Sequence, residues 1–113
     1  MELDLQIAMR DGMVVATLIG ELGATTTEHF ADELEECVAG EGARLVLDLS
    51  QVDMIDSRGL SAMINLVTRA RLSQGRVILV GPKPLVAGVL NVTRLDTWFE
   101  ICDSIESATD ALS

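Results

Sequence analysis

One stretch, residues 44–67, constrains the fold of this chain more than any other. In Arg44-Leu-Val-Leu-Asp-Leu-Ser50, Leu45, Leu47 and Leu49 alternate with Arg44, Val46 and Asp48, the period-two pattern of a strand. Further on, Leu60, Met63, Ile64 and Val67 recur at helical spacing. Between the two, after Gln51-Val-Asp-Met-Ile55, Asp56 and Ser57 are successive residues of the type that starts helices, with Gly59 just inside. A strand that leads through a pair of caps into a helix is half of a βα unit. In open α/β sheets the edge where strands end and helices begin is where ligands and partners bind. The Ser57 hydroxyl therefore stands at a place suited to function, and we read it as a switch rather than a nucleophile.

A chain of 113 residues has room for one domain, expected to span residues 1–113. Its apolar fraction of 49% is enough for a packed core, while only 3% aromatic residues makes that core aliphatic. Eight basic residues against eighteen acidic ones give a net charge of −10. That balance repels phosphate backbones and anionic lipid, so nucleic acid is not expected as a direct partner, and a basic patch on another protein is. No apolar run approaches membrane-spanning length, Met1-Glu-Leu-Asp4 is unlike a signal peptide, and a cytoplasmic location is expected. Cys37 and Cys102 lie far apart without a CxxC partner and read as free thiols.

Taken in order, Leu3 to Met9 and Met13 to Ile19 alternate as strands around Asp11-Gly12, which predicts an antiparallel hairpin. Thr25-Thr-Thr-Glu28 fits a capping box with Thr25 as the cap. The helix after it carries Phe30, Leu34, Cys37 and Val38 on one side and ends at Gly40 and Gly42. The strand from Arg44 to Leu49 and the helix after Asp56-Ser57 follow, the latter ending with Arg69 and Arg71 where cations favour the dipole. Arg76 to Val80 is nearly all apolar, which predicts an internal parallel strand. Gly81-Pro-Lys-Pro84 turns into a short helix with Leu85, Val86, Val89 and Leu90. Trp98 to Cys102 ends in a short edge strand, and Asp103-Ser-Ile-Glu106 signs the cap of a last helix. The expected fold class is α/β: about five strands, mostly parallel after the hairpin, and about four helices. If each strand adds on the same side of the last, right-handed crossovers put every helix on one face. The other face would then be thinly covered and open to a partner.

Little in the chain points to catalysis. Asp56 and Ser57 are equally well explained as helix caps. His29, the one histidine, lies at the exposed start of another helix, so no Ser-His-Asp set exists to activate Ser57. Asp48, Asp53 and Asp56 are close in sequence, but no ligand spacing demands a cation, and a solvated loop accounts for them. There is no phosphate-binding glycine loop. The chain is read as a non-enzyme without cofactor or metal.

Taken together, Leu45-Val-Leu-Asp-Leu-Ser50, Val52, Ile55-Asp-Ser57 and Gly59-Leu60 resemble the STAS domain family, in particular the bacterial anti-sigma factor antagonists. Gly20-Glu-Leu22, Ile78-Leu-Val80, Thr93-Arg-Leu95 and Trp98-Phe-Glu-Ile101 sit where that family has its other elements, so the resemblance spans nearly the whole chain. It implies a small STAS domain that binds an anti-sigma factor, itself a serine kinase, and so frees a sigma factor. The kinase would phosphorylate the residue matching Ser57, the modified form would let go, and a serine phosphatase would reset it. A phosphate at a helix N-terminus is expected to meet free backbone N–H groups and a favourable dipole, leaving the domain itself little changed.

The partner-binding surface implied by the resemblance comprises Glu21, Gly23, Asp56, Ser57, Arg58 and Ser61. Three of these depart from the usual pattern. Gly23 stands where many relatives carry an acidic residue, Arg58 where a small one is more usual, and Ser61 where glycine is frequent. Arg58, beside the switch, is expected to tune the choice of partner. The competing function is a stand-alone STAS subunit docking on a transporter ATPase without a phosphorylation cycle. A hydrolase or a nucleotide-binding module fits less well, for want of a base and of a phosphate loop. The oligomeric state is not legible at this level.

Overall fold

The computed structural model describes residues 2–113. Two strands open the chain, β1 (Leu3–Arg10) and β2 (Met13–Leu22). Asp11 and Gly12 join them with left-handed backbone, φ 52° and 78°, as a two-residue hairpin turn requires. Then come α1 (Thr27–Ala39), β3 (Arg44–Ile55), α2 (Ser57–Leu72), β4 (Arg76–Val80), α3 (Pro84–Val92), β5 (Glu100–Cys102) and α4 (Ile105–Leu112). The five strands form one sheet in the order β1-β2-β3-β4-β5. Among the described residues only β1 and β2 are antiparallel; each later pairing is parallel. This is the α/β architecture expected from the alternation of strand and helix.

β3 is longer than its alternation suggested. Its pairing with β2 continues past Ser50 to Leu22↔Ile55, with irregularities between Thr17 and Ile19 and between Gly20 and Glu21. The polar Gln51 and Asp53 point to solvent while Val52 and Ile55 are buried, so the second half of β3 is covered on one face only. Its first half is covered on both: Leu45, Val46, Leu47 and Leu49 are all 1% exposed or less. Val77, Ile78, Leu79 and Val80 of β4 are likewise buried, at 3% exposure or less, which makes it the internal strand expected.

The helices do not all lie on one face, contrary to expectation. Phe30, Leu34 and Val38 of α1, Leu60, Met63, Leu66 and Val67 of α2, and Val86 and Leu90 of α3 pack into one large core with Leu47, Leu49 and Leu79. A second, smaller core on the other face joins Met13, Val15, Val46, Ile78 and Val80 to Ala108 and Leu112 of α4. The apolar second face of β3 and β4 recruits this last helix, where it would otherwise be left in water. Two arginines at the strand starts hold the end of α4: Arg44 Nη1 donates to the Leu112 carbonyl (3.1 Å) and Arg76 Nη1 to that of Ala111 (2.9 Å). Cations at a helix C-terminus satisfy its free carbonyls and its dipole.

One local expectation is corrected. Thr26, not Thr25, is the N-cap of α1, so Glu28 falls one position short of a capping box. The Thr26 hydroxyl turns back, donating to the Glu21 carbonyl (2.9 Å) and accepting the Gly23 N–H (2.9 Å), which ties the end of β2 to the helix start. At α4 the cap is Ser104, whose hydroxyl accepts the Ser107 N–H at 3.1 Å. In α3, Leu85 faces solvent while Val86 and Leu90 anchor the helix.

Candidate functional site

β3 ends at Ile55 and α2 begins two residues later, so the site is built on the carboxyl-end rim of the sheet. The Asp56 backbone is extended, and its N–H donates to the Leu22 carbonyl at 3.2 Å, which binds this rim to the end of β2. Its carboxylate is the cap of α2. Oδ1 accepts the N–H groups of Arg58 (3.0 Å) and Gly59 (2.9 Å), and Oδ2 accepts that of Ala24 (3.1 Å). One side chain thus fastens three pieces: the end of β3, the first turn of α2 and the loop between β2 and α1. The Gly59 amide first, then the Ala24 amide, hold the Asp56 carboxyl below its ordinary range, with Arg58 adding to them.

Gly59 lets the helix come this close. A Cβ there would stand 2.1 Å from the Leu22 carbonyl oxygen, a backbone atom that cannot swing aside. Gly23 serves Asp56 likewise, because a Cβ on Gly23 would stand 2.6 Å from Asp56 Oδ2.

Ser57 occupies the first position of α2 and is exposed; among the described residues its hydroxyl makes no hydrogen bond. The amides at positions two and three are already taken by Asp56, which corrects the expectation that a phosphate on Ser57 would find them free. Such a phosphate would stand beside a carboxylate and project outwards. Arg58 and Ser61 are exposed one residue and one turn further on. Both line a cleft of about 350 Å³ between α1 and α2, with Phe30, Ala62 and Leu66 on its floor and walls. An Arg69–Glu35 ion pair at 2.7 Å links the two helices at this cleft. Glu21 is half-buried near the end of β2; it does not line the cleft. The structure therefore packs Gly23 against Asp56, next to Ser57 in the chain, and runs Arg58 and Ser61 along one groove that Glu21 does not line; Gly23 is buried, which corrects its expected place on the partner-binding surface.

The three aspartates are parted. Asp48 accepts the Ser50 N–H (3.0 Å), Asp53 pairs with Lys83 at the start of α3, and Asp56 is the cap. Among the described residues no group of three or more His, Cys, Asp or Glu side chains is placed to hold a metal. His29 is exposed on α1. Cys37 and Cys102 are free thiols, and burial pushes the Cys37 thiol up, with Glu36 and Glu33 adding to it. No helix among the described residues is long and apolar enough to cross a membrane. Two features of the site escaped the sequence reading: the cleft and the Asp56–Ala24 bridge. Gly23 opposite Asp56 was the signal for the bridge; small residues facing each other, Ala31, Ser61 and Ala62, were the signal for the cleft.

Residues 4–108 match the STAS domain model. Over 101 residues the chain is 33% identical to BtrV, a candidate anti-sigma factor antagonist of Bordetella bronchiseptica, covering 89% of this chain and 87% of that one. It is 28% identical over 102 residues to the anti-sigma-B factor antagonist of Listeria monocytogenes, covering 89% and 90%. The fold is similar to the crystal structure of a candidate anti-sigma factor antagonist from Thermotoga maritima, with a TM-score of 0.88, 28% identity, and coverage of 96% of this chain and 93% of that one. With nearly its whole length matched in sequence and in fold, this chain belongs to the STAS domain family, among relatives described as anti-sigma factor antagonists.

Proposed function

We propose that this protein is an anti-sigma factor antagonist switched at Ser57. In its unphosphorylated form it binds an anti-sigma factor that is also a serine kinase, and a sigma factor is released. Phosphorylation of Ser57 ends the complex, and a serine phosphatase restores it. The protein acts in the cytoplasm as a binding module and catalyses nothing itself. Its partner surface is the rim carrying Asp56, Ser57, Arg58 and Ser61, with Glu21 half-buried near it; Gly23 is buried against the Asp56 carboxylate and shapes that rim without facing a partner.

The observation that carries this reading is the Ser57 hydroxyl. It is exposed at the first turn of α2 and free of internal hydrogen bonds, so a kinase can reach it and its modification breaks nothing inside the domain. A phosphate adds about −1.5 to −2 charges. Here they fall next to the Asp56 carboxylate on a chain of net charge −10, and the Arg58 and Gly59 amides of the first turn are already occupied. The cost is therefore borne by the interface. An unpaired charge buried there costs roughly 2–5 kcal/mol, which is about 30- to 4000-fold in affinity.

The test is the intact mass of the protein isolated from its native cells, with peptide mapping and a Ser57→Ala control. The expected result is a phosphate on Ser57 that the control lacks. A phosphate on another residue, retained in Ser57→Ala, contradicts the proposal.

A further inference from the structure

We propose that this protein forms a two-fold dimer in which β1 pairs with β1 of a second copy, antiparallel and centred on Ile7. β1 is an edge strand eight residues long, with β2 on one side and, among the described residues, no strand on the other. Long edges of this kind are templates for strand pairing unless something blunts them. Nothing blunts this one: its register with β2 runs from Leu3↔Gly20 to Arg10↔Met13 without a bulge, it holds no proline, and Leu5 to Met9 carry no charge.

The hairpin fixes which backbone groups face outwards. Arg10 and Met13 flank a two-residue turn and exchange their N–H and C=O groups. Alternation then turns Asp4, Gln6, Ala8 and Arg10 towards β2, and Leu3, Leu5, Ile7 and Met9 towards the free edge. A second copy must therefore set odd residues against odd ones. Centring on Ile7 does this, placing Leu5 opposite Met9 and Ile7 opposite Ile7 in the hydrogen-bonded pairs. Asp4 then falls opposite Arg10 of the partner subunit, in the closer non-hydrogen-bonded pairs, and symmetry makes that ion pair twice. The strand is thus complementary to itself in charge, as an isologous interface demands.

The odd residues also supply the apolar surface. Leu3 is buried and Leu5 half-buried in the main core, while Ile7 and Met9 continue that face with 43% and 69% exposure. Pairing lays Met9 beside Leu5 of the partner subunit and covers both. β2 stands between β1 and β3, and Ser57 opens the helix that follows β3, so this proposal is independent of the switch.

Sedimentation equilibrium of the full chain tests it, with Arg10→Glu, Ile7→Lys and the double variant Asp4→Arg/Arg10→Glu, and circular dichroism to verify folding. Both single positions are exposed, so the variants are expected to fold. The expected result is a wild-type dimer whose dissociation constant rises about tenfold or more in each single variant and returns in the double one. A wild-type chain that stays monomeric up to about 1 mM overturns the proposal. So does a dimer indifferent to Arg10→Glu and Ile7→Lys, or one that the double variant does not restore.

Discussion

Asp56 lies directly against Gly23, with Oδ2 2.6 Å from where a Gly23 Cβ would stand. The same oxygen accepts the Ala24 N–H. The space beside the loop is thus filled by the cap of α2. Gly23→Ala is therefore expected to push the carboxylate off Ala24 and to destabilise the protein on the order of 1 kcal/mol. In an Asp56→Ala background the same change is expected to cost much less. Urea denaturation of the four proteins in a double-mutant cycle checks this, and additive effects would show that the two residues do not compete.

The cap also sets an acid limit. Amide hydrogen bonds hold the folded Asp56 carboxyl below its ordinary value of 3.8. Its contribution is thus complete above that value and is lost as pH falls through the lower, folded one. The urea midpoint is expected to drop as pH falls below about 4, and to drop less in Asp56→Asn, which keeps an acceptor but has no charge to lose. Equal slopes in the two proteins would assign the acid sensitivity to other carboxylates.

Gly59→Ala is expected to reverse the usual helix rule. Alanine inside a helix is ordinarily better than glycine by roughly 0.5–1 kcal/mol. Here its Cβ would meet the Leu22 carbonyl carbon at 2.7 Å as well as its oxygen, so α2 must lift away from β2. A loss of about 1–3 kcal/mol follows, read from chemical denaturation. A neutral or stabilising Gly59→Ala would mean that the helix start has room to move.

Arg58 is exposed, lines the cleft and makes no ion pair among the described residues. Arg58→Ala is expected to leave stability within about 0.5 kcal/mol. Its effect should fall on the partner, as an affinity and a phosphorylation rate for the true kinase lowered by about tenfold through slower association. Unchanged values for both would remove Arg58 from partner choice.

The fold was legible where the pattern was local and one-sided. The Asp11-Gly12 hairpin, the helical spacing from Leu60 to Val67 and the apolar run of β4 each carry their own signal. What escaped depends on who covers whom. Val46 and Val80 give the sheet a second apolar face, but nothing in Ile105–Leu112 says that this helix, rather than a partner, covers it. The tail of β3 was hidden because Gln51 and Asp53 read as loop residues once one face is solvated. The Ser57 position was legible because caps are side-chain signals. That Asp56 saturates the neighbouring amides is a matter of three distances, and no spacing encodes it.

The most direct test of the central claim is a titration. The protein captured from native cells by the unmodified chain is purified, and its dissociation constant is measured for wild type and for Ser57→Asp. The account predicts weakening by about 30- to 4000-fold, with the fold of Ser57→Asp unchanged by circular dichroism. Equal affinity of the two forms for every captured partner would contradict the switch and turn attention to a docking subunit that never cycles.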